Sequence, residues 1–191
     1  MFYHIYTDRD TTLYEKYPTQ NVGIDPILSL TKITSGSLFQ GFYQSNTYNS
    51  RILLDFKSQL TEISNSIVKG DIPAPGMADN KSQFFLTLKA SDASSIPLQY
   101  SLKGYPISQS WENGTGYFDD IPIATEGASW QYRKGSIEWA SGSQITQGGG
   151  GGTTNNGGGT WYTGSSVTTT ASFDYQSPDI RMNITGMVTN W

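Results

Sequence analysis

The chain contains no cysteine, which excludes disulfides, zinc–thiolate centres and thiol nucleophiles and leaves burial rather than cross-links to hold the fold. Charge is sparse: 12 Lys and Arg face 16 Asp and Glu in 191 residues, for a formal net charge of −4. With no basic field, and no run of Lys or Arg interleaved with aromatics, nucleic acid is not an expected partner. No apolar run is long enough to span a bilayer, and the opening "MFYHIYTDRD" has neither a basic leader nor an apolar signal core, so neither a membrane span nor Sec-type export is expected. His4 is the single histidine, so a Ser-His-Asp arrangement would hang on one residue near a terminus.

Present instead are 12 Tyr, 5 Trp and 21 Gly, with only 15% of residues charged. That balance suits strands and turns better than exposed helices, which want Glu, Lys and Ala. The length accommodates one domain with a real core. We therefore expect an all-β fold, an antiparallel, jelly-roll-like β-sandwich spanning 1–191 as a single domain, with one or two short helices and long loops.

Periodicity places the elements. "FYHIYTDRDTTLY" predicts a first strand that breaks around Asp8 to Asp10, with His4 at its edge. In "SRILLDF" the residues Ile52, Leu54 and Phe56 share one face, and Arg51, Leu53 and Asp55 the other. "KSQLTEISNSIVKG" shifts to helical spacing, with Leu60, Ile63, Ile67 and Val68 on one face and Gly70 as the stop. "QFFLTLKA" and "PLQYSLKGYPI" alternate as strands, joined by a short polar connection that predicts a hairpin. "SVTTTASFDY" and "DIRMNI", around the turn at Ser177 and Pro178, predict a second hairpin. In "NITGMVTNW" Thr185 reads as an N-cap, and Ile184, Val188 and Trp191 can share an apolar face. A chain that stops on such a face leads us to expect a longer natural protein, C-terminally incomplete here.

The stretch "QGGGGGTTNNGGGTWY" lacks the Lys and the following Ser or Thr of a phosphate-binding loop, and a strand pattern rather than a helix follows it. Residues 147–160 are accordingly expected to form a mobile surface loop between two strands.

The order of pieces, "DTTLYEKYPTQNVGIDPILSL", "SRILLDF", "FFLTLKA", "YPISQSWENGTGYFDD" with "ASWQYR", and "DIRMNITGMVTNW", resembles the DNRLRE-type β-sandwich modules related to carbohydrate-binding modules. Asn21, Gly23, Ser50, Arg51, Leu53, Phe56, Trp111, Trp130, Ile184, Thr185, Val188 and Trp191 fall on that family's mainly structural motif positions. The chain departs from the pattern at Lys57, where the family has Asp, in the long segment between Trp111 and Trp130, and in lacking strands after Trp191. The wording of several segments is also similar to virion structural proteins of large tailed phages of marine bacteria and cyanobacteria. The resemblance implies a non-enzymatic virion component on neck, tail or capsid. It would be assembled in a host cytoplasm by contacts with other virion proteins, as a homo-oligomer or in multiple copies. The alternative it implies is a carbohydrate-binding module gripping a host or environmental polysaccharide.

No catalytic, cofactor or metal site is assigned. Asp119 and Asp120 are adjacent and cannot readily face each other across a cleft as glycoside hydrolysis requires. Asp119, Asp120, Glu112 and Asn113 offer oxygen ligands for a calcium clamp but without EF-hand spacing, and the ordinary hydrophilic loop is the expected reading. For glycan stacking, Trp111 and Trp130 are expected in the core, which leaves Trp139 and Trp161, flanking the glycine-rich stretch, as the candidates.

Overall fold

The computed structural model describes residues 2–39, 42–91, 100–140, 145–147, 157–162, 164–174, 176–177 and 179–189. In chain order the elements are β1 (Arg9–Tyr14), β2 (Lys32–Phe39), β3 (Phe42–Asp55), α1 (Lys57–Lys69), β4 (Phe85–Lys89), β5 (Tyr100–Gly104), β6 (Tyr132–Lys134), β7 (Ile137–Glu138), β8 (Ile145–Gln147), β9 (Thr160–Tyr162), β10 (Thr169–Phe173), β11 (Asp179–Asn183) and α2 (Thr185–Thr189). The fold is all-β and antiparallel with two short helices, as the alternation predicts. Two compact units divide it, each built from two chain segments: Met1–Ser58 with Gln109–Thr160, and Gln59–Ser108 with Trp161–Trp191.

The first unit is organised around β3, a 14-residue strand flanked in the order β1-β3-β2. Its first part forms a hairpin with β2, from Lys32 opposite Asn49 to Phe39 opposite Phe42. Its second part pairs with β1, from Tyr14 opposite Ser50 to Arg9 opposite Asp55. The first strand is thus shorter than expected and begins where a break was predicted. The reason is pairing: β3 ends at Asp55, whose carbonyl accepts from the Asp8 amide at 2.8 Å as the last backbone bond at this end, and the Asp8 carboxylate accepts from the amide and hydroxyl of Ser58 at the start of α1.

In "SRILLDF" the two faces are buried to different depths. Leu53, on the face shared with Arg51, is the buried residue, while Ile52, Leu54 and Phe56 are half-buried. Opposite them Thr11, Thr12, Leu13 and Tyr14 are buried in succession. A strand covered on both faces reads as a continuous run, not as an alternation. The small hairpin of β6 and β7 turns at Gly135, whose φ of 50° lies in the left-handed region.

Helix α1 occupies the predicted residues and ends before Gly70 at φ 84°, the left-handed termination that glycine makes cheap. Leu60, Ile63 and Ile67 are half-buried, but Val68, expected on the same face, is 84% exposed.

In the second unit both expected hairpins are replaced by long-range pairs. β4 pairs with β11, Phe85 opposite Asn183 through Lys89 opposite Asp179, and β5 pairs with β10, Tyr100 opposite Phe173 through Gly104 opposite Thr169. Consecutive strands are thereby divided between two ladders, a β-sandwich-like arrangement. Alternation had settled which face of each strand turns inward, and it does not specify the partner. Tyr100 and Phe173 stack across the β5–β10 ladder, with ring centroids 5.4 Å apart and planes at 11°. Thr185 is buried, and its hydroxyl accepts from the amide of Phe84 at 2.9 Å rather than capping α2. The capping acceptor is Asn183 Oδ1, bonded to the Thr185 amide at 3.0 Å. Trp191 lies outside the described residues.

Candidate functional site

In the first unit the irregular segment between Trp111 and Trp130 is anchored at its centre by Asn21. Asn21 is fully buried. Its Nδ2 donates to the carbonyls of Asn113 at 2.7 Å and Ala128 at 2.8 Å. Its Oδ1 accepts from the amides of Gly23 at 3.2 Å and Gly116 at 3.0 Å. All of the amide's hydrogen-bonding capacity that a folded loop can use is thus spent on backbone, which lets irregular chain be buried at little cost in unpaired groups. The glycines here have a second purpose: a Cβ on Gly116 would lie 2.3 Å from the Asn21 carbonyl oxygen, and one on Gly23 would lie 2.0 Å from that of Asn113. Only glycine permits backbone to approach backbone so closely.

Two arginine–tryptophan pairs brace the sheet beside this loop. The Arg9 guanidinium lies 4.6 Å from the centre of the Trp111 ring and bonds Asp55 at 2.8 Å. The Arg51 guanidinium lies 4.4 Å from the centre of the Trp130 ring and donates to the Gly158 carbonyl at 2.7 Å. Both tryptophans are buried, as expected. The end of the glycine-rich stretch proves structural: Gly157, Gly158 and Gly159 all have positive φ and are buried, and the Gly158 amide donates to the Trp130 carbonyl. Residues 148–156 of the expected loop lie outside the described residues.

On this frame stands an exposed aromatic and aliphatic surface. Tyr14, Tyr17 and Phe118 form a three-ring edge-to-face cluster with centroids 5.1 to 6.4 Å apart. Tyr14 is buried, while Tyr17 and Phe118 are 37% and 39% exposed. Gln20 Nε2 donates to the Phe118 carbonyl at 2.6 Å, and Asp25 Oδ1 accepts from the Phe118 amide at 3.1 Å. The Tyr117 amide is held by Asp120 Oδ2 at 2.8 Å. Ile24, Tyr117 and Ile123 are exposed along the same two segments, and Ile121 is 97% exposed. These large apolar side chains are thus held at the surface on backbone tied by hydrogen bonds.

Of the two candidate stacking residues, Trp139 is fully buried with its Nε1 donating to the Ser129 carbonyl at 3.0 Å. A ring with no solvent-facing side offers a sugar nothing to stack on, and that expectation is corrected. Trp161 is half-buried in the second unit, tilted against Tyr105 at 5.5 Å. Signals for the displayed surface were present in "GYFDDIPI", where apolar residues interrupt a turn-rich segment, but periodicity passes over such segments. His4 is exposed and lies outside any strand. Glu112 pairs with Lys134, Asn113 Nδ2 donates to the Gly23 carbonyl, and Asp120 closes a turn. Among the described residues no group of three or more Asp, Glu or His side chains gathers where a metal ion would sit. None of the described helices is long and apolar enough to cross a membrane.

Compared with known proteins, the chain matches no family model, no curated protein and no solved structure.

Proposed function

We propose that this protein is a non-enzymatic assembly component that works by protein–protein contact. The carrying observation is the exposure of Tyr17 and Ile24 on the segment that carries Asn21, and of Tyr117, Phe118, Ile121 and Ile123 on the loop that Asn21 fixes. Aromatic anchors on a rigid support, rimmed by Asp25, Asp119 and Asp120, have the composition of an interface centre with a polar edge. The resemblance of the Asn21, Arg51, Trp111 and Trp130 motifs to DNRLRE-type modules, and of the longer wording to tailed-phage structural proteins, supports placing that assembly in a virion. The partner would be another virion protein or further copies of this chain.

Mass spectrometry of purified particles from the source tests this directly. Peptides of the chain at a fixed stoichiometry to the major particle protein are expected, and their recovery only from particle-free lysate would overturn the virion role.

A further inference from the structure

The three-stranded sheet of the first unit has one covered edge and one bare edge. At the β1 edge Thr11, Thr12, Leu13 and Tyr14 are buried. At the other edge β2 pairs with β3 on one side only, in the order β1-β3-β2, and among the described residues it makes no backbone bond outside that ladder. Lys32, Ile33, Thr34 and Gly36 are all exposed. Successive residues of a strand point to opposite faces, so β2 is covered on neither face along that stretch. The edge of β3 beyond the end of β1 is closed off at Asn49, whose carbonyl accepts from the Glu15 amide at 3.0 Å and whose amide donates to the Glu15 carboxylate at 2.8 Å. In this sheet β2 alone presents the edge of a whole strand.

An unpaired row of backbone N–H and C=O groups is a template for another strand, and proteins ordinarily blunt such edges with charge, proline, a bulge or a very short strand. None of these protects β2. It is 8 residues long, its ladder runs without a register shift from Lys32 opposite Asn49 to Phe39 opposite Phe42, and neither a charged residue nor a proline occurs between Lys32 and Arg51. Its sequence also suits pairing with itself. Two identical antiparallel strands related by a two-fold axis must oppose residues whose backbone groups both face the seam, which puts the axis at a residue and not between two. An axis at Ser35 would set Lys32 opposite Leu38 and Ile33 opposite Ser37. An axis at Gly36 instead sets Ile33 opposite Phe39, Thr34 opposite Leu38 and Ser35 opposite Ser37. A β-branched residue opposite an aromatic, and hydroxyl residues opposite each other, are favourable antiparallel pairs. With that axis the two Lys32 fall outside the seam at its opposite ends, so no like charges meet. We propose that β2 is a self-docking edge: a second copy of this chain adds its own β2 antiparallel, with the two-fold axis at Gly36, and joins the two three-stranded sheets into one. This contact is separate from the surface at Tyr17 and Phe118 and does not rest on the assembly reading given to that surface.

The chain has no cysteine, so Gly36→Cys introduces a single thiol. Opposed residues of an antiparallel pair lie about 4.5–5.5 Å apart at Cα, within disulfide reach. On mild oxidation the full Gly36→Cys chain is expected to form a covalent dimer, while Val68→Cys, at a side chain 84% exposed on α1, does not. Sedimentation velocity of the unaltered chain should show a dimer at roughly 50 μM. Gly36→Lys and Gly36→Glu each set like charges directly opposite each other, and each should weaken that dimer at least about tenfold. An equimolar mixture of the two should restore it, which also shows that both variants fold. Ile121→Asp should leave the dimer intact. A chain monomeric at that concentration, cross-linking of Gly36→Cys no greater than that of Val68→Cys, or a mixture of the two charge variants that stays monomeric would each overturn the proposal. A dimer lost in Ile121→Asp and kept in Gly36→Lys would also overturn it, and would place the contact between copies at the Tyr17 surface instead.

Discussion

At the residue scale, Asn21 shows how one short side chain can stand in for secondary structure. Four backbone groups that a ladder would otherwise satisfy converge on its amide. Asn21→Ala leaves all four without that partner in a buried setting, and the expected loss is about 3–5 kcal/mol, read as a shift of the urea midpoint. Glycines divide by what surrounds them. A Cβ on Gly157 would lie 2.0 Å from the Trp130 carbonyl oxygen, whereas at Gly135 only the positive φ is at stake. Gly135→Ala should therefore cost about 1–2 kcal/mol, and Gly157→Ala about 3 kcal/mol or more because backbone must also move. Equal losses in the two variants would show that Gly157 is required for its φ alone. The roles of Asn21 as loop anchor, Arg51 as guanidinium brace and Trp111 and Trp130 as ring supports were not legible in sequence, since each depends on a partner at least 79 positions away in the closest case, Arg51 with Trp130.

At the scale of elements, α1 was legible from its spacing and its glycine stop, but its N-terminal support comes from a distant residue. Asp8 receives the amide and hydroxyl of Ser58, and these bonds hold its carboxyl below the usual range. A carboxyl whose folded pKa is depressed contributes stability above its unfolded value, near about 4, and loses it as pH falls through the lower folded value. Asp8→Asn should thus flatten the acid limb of the thermal midpoint and speed hydrogen exchange in the first turn of α1 at neutral pH. An acid limb identical to that of the unaltered chain would remove Asp8 from this role. Strand identity was likewise legible for β4, β5, β10 and β11, whose alternation matches their half-buried faces. The hairpins were misassigned because a short polar connection suits a return within one sheet and a crossing between two equally well. The β2–β3 pairing escaped notice because β2 and the first part of β3 are rich in Ser, Thr and Asn, residues that carry no hydrophobic period, while only the SRILLD end of β3 was legible.

At the scale of the whole molecule, the proposed assembly role rests on the exposed apolar side chains of the first unit. The surface at Tyr17, Phe118 and Ile121 is expected to be separable from stability. Ile121 makes the sharper variant, since its side chain is almost wholly exposed and Ile121→Asp should change the thermal midpoint by no more than about 0.5 kcal/mol equivalent. The same variant, alone or with Phe118→Ser, should lower incorporation into particles at least about tenfold, as expected when an interface anchor is lost. Incorporation at the unaltered level would move the docking surface elsewhere.

What the sequence by itself determined is the class of fold, all-β with short helices, together with the positions of α1 and the main strands, because these follow from local periodicity and turn chemistry. It also determined what is scarce: charge of either sign, and the thiol and imidazole groups on which many reactive sites depend. Which strands pair, which face of β3 is core and that Trp139 is buried were decided only by tertiary structure. Each of those outcomes is a competition among partners far apart in the chain, settled by packing and by the need to pair every buried backbone group, and a local pattern carries no record of it.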